Sequence, residues 1–267
     1  MLLMPVFNLQ AQEVKAISFN IRNSDAARED GIYAWPYRTK AVVAMIRKER
    51  PDVMGLQEAL LDQLSKIDRE FMRQYRRVGI GRDNGLTRGE HMAIYYNTDK
   101  VELVSARTRW LSTSPRRVSI GWDAACLRTV TIAKFRMKDS GKQFYYFNTH
   151  LDHVGSTARS KSIELITKLI IHYSQDGTPV ILGGDMNVDL TSPIFEPLYQ
   201  IGMITARKTA SKSDDKISYN AFGKEPGKQI DQFFVRGVKT KRFRTLDRDY
   251  GIKYISDHYP IEIVFDL

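Results

Sequence analysis

The chain has 267 residues, 42% hydrophobic and 27% charged, which is ordinary for a globular protein and leaves room for one large domain or two small ones. Its formal net charge of +10 favours a polyanionic or phosphorylated partner, or an anionic surface. The lone cysteine, Cys126, excludes a disulfide framework within the chain, and no apolar run is long enough to cross a membrane as a helix.

Met1–Phe7 is apolar and Asn8–Glu13 follows it, so residues 1–12 read as the remnant of a secretory signal with a cleavage zone near Ala11, although the basic start of such a signal is missing. On that reading the protein is exported, to a bacterial periplasm or the medium; without it, cytoplasmic. Val14–Arg22 is strand-like, with Asn20 and Arg22 on one face. Trp35 opens a helix whose stripe runs through Val42, Met45, Ile46 and Glu49, and Pro51 ends it. Within it Trp35 reads as packing and Arg38 as a solvated residue. Asp52–Glu58 is a short buried strand finishing on Glu58, and a second helix covers Leu60–Phe71. Tyr75–Val78 is strand-like, Gly79–Gly89 a loop rich in glycine and arginine, and Glu90–Tyr96 a strand with a glutamate at its entrance.

Val101–Leu111 and Leu127–Met137 read as strands. The long loop between them, Ser112–Asp123, is a candidate functional segment. Gln143–His150 is a strand ending in polar residues, and Ala158–Tyr173 a helix with Ile163, Ile166, Ile170 and Tyr173 on one stripe. The apolar run Val180–Leu182 then stops at Gly183–Gly184 and presents Asp185 and Asn187, two residues apart. Glycine there permits close backbone approach, and strand carboxyl ends are where α/β folds bind ligands. A short helix starts near Ser192–Pro193, Thr209–Lys228 is a polar loop, Gln229–Val235 a strand carrying Asp231, and Ser256–Pro260 precedes the strand Ile261–Phe265. There is no repeat, low-complexity linker or composition break. The expected architecture is one α/β domain, residues 13–267, with mixed sheets, helices outside and polar strand ends at one edge.

Those ends are Asn20, Glu58, Glu90, His150, Asp185, Asn187, Asp231, Asp257 and His258. Carboxylates with an amide form a hard-oxygen set suited to Mg²⁺ or Mn²⁺. Histidines beside carboxylates can be held as imidazolium, to neutralise a phosphate, or can assist proton transfer.

Ser18–Phe19–Asn20, Leu56–Gln57–Glu58, Asn148–Thr149–His150–Leu151–Asp152, Gly183–Gly184–Asp185–Met186–Asn187, Ile230–Asp231 and Ser256–Asp257–His258–Tyr259–Pro260 together resemble the endonuclease/exonuclease/phosphatase superfamily, in its order and from about Val14 onward. The resemblance implies a four-layer α/β/β/α sandwich, two mixed sheets packed face to face with helices outside, that hydrolyses phosphoesters with a divalent metal. It implies Glu58 as the principal metal ligand, with Asn20 and Asp257 in the metal shell. Asp185 would orient or deprotonate the attacking water, and Asn187 would donate to the phosphoryl oxygens. His258 would pair with Asp231, and His150 would be supported by Glu90. Where apurinic endonucleases carry an aspartate two residues after the asparagine, this chain has Arg22, a candidate phosphate clamp. Arg109, Trp110 and Trp122 are candidate contacts to the substrate beyond its phosphate. The expected substrate is a phosphoester, a phosphodiester such as nucleic acid being favoured over a phosphomonoester of a small molecule or a lipid head group, with a non-catalytic binding module as the rival. The protein is expected to be a monomer without a stable protein partner.

Overall fold

The computed structural model describes residues 12–267. The leader expectation, residues 1–12, therefore lies outside the described residues save for Gln12.

Among the described residues twelve strands form two six-stranded sheets. The first is built from β1 (Glu13–Asn20), β2 (Val53–Gln57), β3 (Tyr75–Val78), β4 (Ile94–Asn97), β11 (Lys239–Thr245) and β12 (Ile261–Asp266), in the order β11-β12-β1-β2-β4-β3. The second contains β5 (Val101–Trp110), β6 (Thr129–Met137), β7 (Gln143–His150), β8 (Val180–Asp185), β9 (Ile204–Thr205) and β10 (Asp231–Arg236), in the order β5-β6-β7-β8-β10-β9. β1 pairs parallel with β2, and β7 parallel with β8; the other neighbours are antiparallel. The final strand β12 does not sit at an edge. It lies between β11 and β1, with Glu13 opposite Asp266 and Ser18 opposite Ile261.

Strands buried on both faces need apolar residues at successive positions, and β1, β2 and β8 have them. Val14, Ala16, Val53, Phe135, Phe144, Ile181, Phe233 and Ile263 fill the space between the sheets. Ile17, Phe19, Met54 and Leu56 turn the other way, under the helices Trp35–Glu49 and Leu61–Phe71. Phe147, Leu182 and Phe234 turn outward beneath the helix Ser156–Tyr173, which contributes Ile163, Ile166 and Ile170. Helix, sheet, sheet, helix is the four-layer sandwich expected. Among the described residues no helix is long and apolar enough to cross a membrane.

Glycine is required at two points of β8. A Cβ on Gly184 would sit 2.0 Å from the Thr149 carbonyl oxygen, and one on Gly183 would meet the Phe233 ring at 2.6 Å. Amides tie the sheets together near their polar ends: Gln57 Nε2 donates to Asn148 Oδ1 at 2.6 Å, and Asn148 Nδ2 donates to the carbonyls of Leu56 and Ala93 at 2.8 and 2.9 Å.

Three local expectations are corrected. The strand expected over Glu90–Tyr96 is confined to Ile94–Asn97, and His91 makes isolated bridges to Ala59 and Gly81 instead. β11, Lys-Thr-Lys-Arg-Phe-Arg-Thr, was not foreseen, because basic residues occupy most of its positions and a bulge between Thr240 and Arg242 breaks its alternation. Arg38 is not solvated: it is fully buried and donates to the carbonyls of Tyr33, Ile21, Ile255 and Arg22. Trp35 packs in the core as expected.

Candidate active site

The carboxyl ends of β1, β2, β7 and β8 and the start of β10 meet at one end of the sandwich, around a cavity of about 690 Å³. Glu58 follows β2 with φ near +60°, Arg22 follows β1 with φ near +54°, and Asn187 follows β8 with φ near +53°. Left-handed backbone at non-glycine residues costs energy and concentrates where side chains must be aimed.

Glu58 is held by amides. Oε1 accepts from Asn20 Nδ2 at 2.9 Å, and Oε2 accepts from Asn23 Nδ2 at 2.9 Å and the Asn23 backbone N at 3.2 Å. Burial works to raise its carboxyl, but the Asn20 bond and the charges of His258 and Arg22 hold it below the usual range, so it stays ionised. Asn20 is fully buried and bridges the sheets, its Nδ2 also donating to Asp185 Oδ2 at 3.0 Å.

Asp185 lies between two imidazoles, its Oδ2 3.4 Å from His150 Nε2 and 3.6 Å from His258 Nε2. Burial and the neighbouring Asp231 carboxylate push it up to about 7, against His258. His258 Nδ1 donates to Asp231 Oδ2 at 2.7 Å. Burial alone would lower this imidazole, but Asp231 and Asp185 raise it to about 10, so His258 is an imidazolium at neutral pH. His150 is the opposite case. Burial, then the charges of Arg128 and His258, push it well below its ordinary value, so it is neutral. Its Nε2 accepts from Asn187 Nδ2 at 3.0 Å, which also donates to the Leu151 carbonyl at 2.9 Å.

Glu90 does not support His150. Its carboxylate pairs with Arg82 at 2.5 Å, and His150 Nδ1 has no hydrogen-bond partner among the described residues. Burial and the charge of Glu58 push Glu90 up to about 7 even against Arg82. Asp257 faces the cavity beside Ser256, whose hydroxyl donates to Oδ1 at 3.1 Å. Arg22 also lines the cavity.

Arg109, Trp110 and Trp122 are not brought to the site. Arg109 Nη1 donates to the Thr108 carbonyl at 3.1 Å, and the side chain lies in a separate groove with Arg107 and Arg116. Trp110 is buried, and its Nε1 donates to the Arg82 carbonyl at 2.8 Å, so it braces the loop behind the cavity. Trp122 is 37% exposed on the 112–123 loop, which instead caps the helix Ser156–Tyr173 through Asp123 Oδ1, an acceptor for the Ala158 backbone N at 2.6 Å.

Arg82, Arg128, His153, Tyr219 and Lys228 also line the cavity and were not singled out in the sequence as site residues. Arg128 is held by Asp152 at 3.2 Å and meets His153 Nδ1 at 3.0 Å. Tyr219 packs edge-on against the His258 ring, with centroids 5.0 Å apart. Arg82 was marked in the sequence only by its glycine-rich loop and His153 only by closing the polar stretch after His150; nothing sets Arg128, Tyr219 and Lys228 apart there.

A sequence model of the Endonuclease/Exonuclease/phosphatase family matches residues 17–258. The chain belongs to that family. Among solved members it is similar to the endonuclease/exonuclease/phosphatase from Bacteroides vulgatus, with 33% identity, 96% of this chain and 99% of that one covered, and a TM-score of 0.89. It is also similar to the mannosyl-6-phosphatase of Bacteroides thetaiotaomicron, with 31% identity, coverage of 94% and 99%, and a TM-score of 0.86. By sequence it is 29% identical over 270 residues to uncharacterized protein L388 of Acanthamoeba polyphaga mimivirus, covering 95% of this chain and 100% of that protein.

The oxygen donors fit the metal expected of such a family member. Glu58 and Asp257 are carboxylates on the cavity wall, Asn20 lies against Glu58, and Glu58 is kept ionised by the Asn20 amide together with the charges of His258 and Arg22. Asp185, Asp231 and His258 also bring one ligand-type atom each within 4.8 Å of the others, but His258, as an imidazolium bonded to Asp231, has no lone pair to offer a metal.

Proposed function

We propose that the protein hydrolyses a phosphomonoester of a compact, hydroxyl-bearing molecule, a phosphorylated sugar being the favoured class, by in-line attack of water. One observation carries this reading: a single cavity of about 690 Å³ is lined by Asp185, imidazolium His258, Glu58 and the cations Arg22, Arg82, Arg128 and Lys228. Its volume is that of a small-molecule pocket, roughly 300–1,000 Å³. The likeness to a mannosyl-6-phosphatase supports the substrate class.

Asp185, raised to about 7, is poised to orient water and accept its proton. His258, fixed by Asp231, offsets charge growing on the phosphoryl oxygens. Neutral His150 and Asn187 hold one another beside Asp185. Arg82 and Arg128 bind the anionic ester. Glu58, with Asn20 and Asp257, would hold a divalent cation, which when bound would supply Lewis-acid polarisation of a phosphoryl oxygen.

The test is a hydrolysis screen with Mg²⁺ or Mn²⁺ over sugar phosphates, aryl phosphate mono- and diesters, sphingomyelin, DNA and RNA, repeated in excess chelator. The expected result is release of phosphate from sugar and aryl monoesters, abolished by chelator and restored by metal. Turnover undiminished in chelator, or of no phosphoester at all, refutes the proposal. The net charge of +10 favours a second reading, a nucleic-acid phosphodiester. On that reading KM for DNA or RNA rises steeply with salt as counterions compete, whereas a compact monoester gives a shallow dependence.

A further inference from the structure

The positive charge of the chain is unevenly spread. From Leu103 to Trp122 there is no acidic residue, yet four arginines fall there, Arg107, Arg109, Arg116 and Arg117. Three of them, Arg107, Arg109 and Arg116, line a second groove of about 470 Å³, and no acid lines it with them. β5 is an edge strand, and side chains two apart on a strand share a face. Arg107 and Arg109 are therefore about 7 Å apart along one face. Their guanidinium groups bond only neutral acceptors. Arg107 Nη1 donates to the Ala106 carbonyl at 2.7 Å, Arg109 Nη1 to the Thr108 carbonyl at 3.1 Å, and Arg109 Nη2 to the Tyr173 hydroxyl at 3.5 Å. None of the three makes an ion pair among the described residues. Asp83, on the neighbouring loop, lies 3.7 Å from Arg82 Nε instead. One loop separates this groove from the catalytic cavity. Gly79, Ile80 and Gly85 face the groove, whereas Arg82 and Glu90 face the cavity. Trp110 anchors that loop through the Arg82 carbonyl, and a Cβ on Gly85 would stand 3.3 Å from its ring.

We infer that the Arg107–Arg109–Arg116 groove docks an anionic polysaccharide, the chain that carries the phosphorylated sugar hydrolysed in the cavity. The inference rests on the phosphosugar reading of the site. Like charges gathered in one groove repel, and an anion laid along them relieves that repulsion. Guanidinium forks suit the phosphate, sulfate or carboxylate groups of such a chain, because each can be bound through two parallel N–H donors. A groove for single-stranded nucleic acid adds aromatic faces on which bases stack. Here the one lining aromatic, Trp110, is 5% exposed and its indole N–H is already used, so it offers no such face. Only the loop 79–90 lies between groove and cavity, so a polymer whose phosphorylated end enters the cavity can reach the arginines with its next anionic groups.

The experiment titrates fluorescein-labelled dextran sulfate, an anionic polysaccharide without a phosphoester, against the full-length chain by anisotropy over a salt series. Wild type is expected to bind it. The triple variant Arg107→Ser, Arg109→Ser, Arg116→Ser is expected to bind about tenfold more weakly at low salt, with a log–log salt slope shallower by about 2 for three lost contacts. Hydrolysis of a small aryl phosphate should be unchanged in that variant, since none of the three arginines lines the cavity. A mannan bearing phosphomonoesters should show a higher kcat/KM than free mannose phosphate, and the triple variant should lose this preference. Circular dichroism checks that the variant is folded. Dextran sulfate binding and slope unchanged in the folded variant overturn the docking site. Oligothymidylate bound more tightly than dextran sulfate, and released by the same substitutions, overturns the polysaccharide in favour of nucleic acid. Equal kcat/KM for polymer and free sugar phosphate overturns the link to the substrate. Wild type inert toward every monoester overturns the phosphosugar reading itself, while the titration still decides the groove.

Discussion

Arg38 offers the most demanding test of how the site is held. Its guanidinium is completely buried, and none of its hydrogen bonds goes to a carboxylate; it binds only carbonyls, of Tyr33, Ile21, Ile255 and Arg22. Burial lowers it to about 10 even though Asp257 and Asp30 favour its charge. The perturbation is Arg38→Met, which keeps most of the volume and removes the donors. Arg22 O retains its bond from Gln63, so three carbonyls lose this donor. Each buried acceptor left unpaired costs about 1–3 kcal/mol. The three together cost about 3–9 kcal/mol, and relief of the desolvated guanidinium offsets part of this. The expected net loss is therefore about 3–5 kcal/mol, the range seen when one member of a buried ionic contact is removed. At roughly 2–4 °C per kcal/mol for a chain of this size, melting falls by about 6–20 °C. Thermal unfolding by circular dichroism reads this directly. The variant is also expected to lose kcat, because Ile21 follows Asn20 directly and Ile255 lies two residues before Asp257. Arg38→Lys, with one point charge in place of a fork, should fall between. Melting of Arg38→Met within about 2 °C of wild type, less than 1 kcal/mol on the same scale, refutes the reasoning.

Asp231→Ala combined with His258→Ala is expected to cost about what His258→Ala costs alone, roughly 10²–10³ in kcat, because the acid acts through the imidazole it fixes. Fully additive losses in that double mutant would assign Asp231 a separate task. Gly184→Ala is expected to be insoluble or to melt far below wild type, since the new Cβ meets backbone 2.0 Å away; a melt matching wild type contradicts this. Burial opposes ionisation of Asp152, but the backbone N–H groups of Gly155, Ala125 and Val154, with Arg128, hold its carboxyl well below the usual range. Its contribution is present above about pH 4, the unfolded value, and is lost as pH falls further toward the folded one. Urea unfolding across pH should show an acid loss of stability that is smaller in Asp152→Asn, and an unchanged slope refutes the assignment.

Most strands were legible because apolar runs between turn residues can do little else, and their polar ends stood out because a carboxylate or imidazole closing such a run has no packing purpose. Chain order could not reveal which polar residues share a cavity. Glu90 lies where a partner of His150 was expected, yet Arg82 claims it, and Arg82 comes from a loop whose course depends on Trp110 behind it. Arg109 and Trp110 sit at the end of a strand like true site residues, but β5 is the edge of its sheet and carries them away from the cavity. Arg38 did leave a trace: it falls three residues after Trp35 and four before Val42, on the buried stripe of its helix. A cation on such a stripe needs acceptors, and these come from segments distant in sequence, such as Ile255.

The placement of β12 has a consequence for how the protein is made. The second sheet comes entirely from residues 101–236, while the first is divided between the chain before it and the chain after it. A ribosome thus delivers Asn20, Glu58, His150, Asp185 and Asp231 well before Asp257 and His258. The strand that follows His258 must insert between β11 and β1, beside residues synthesised first. Until then β1 presents an unpaired edge, a template for mispairing with another chain. A nascent chain should therefore be both aggregation-prone and inert toward phosphoesters, gaining protection and catalytic competence in the same closing event.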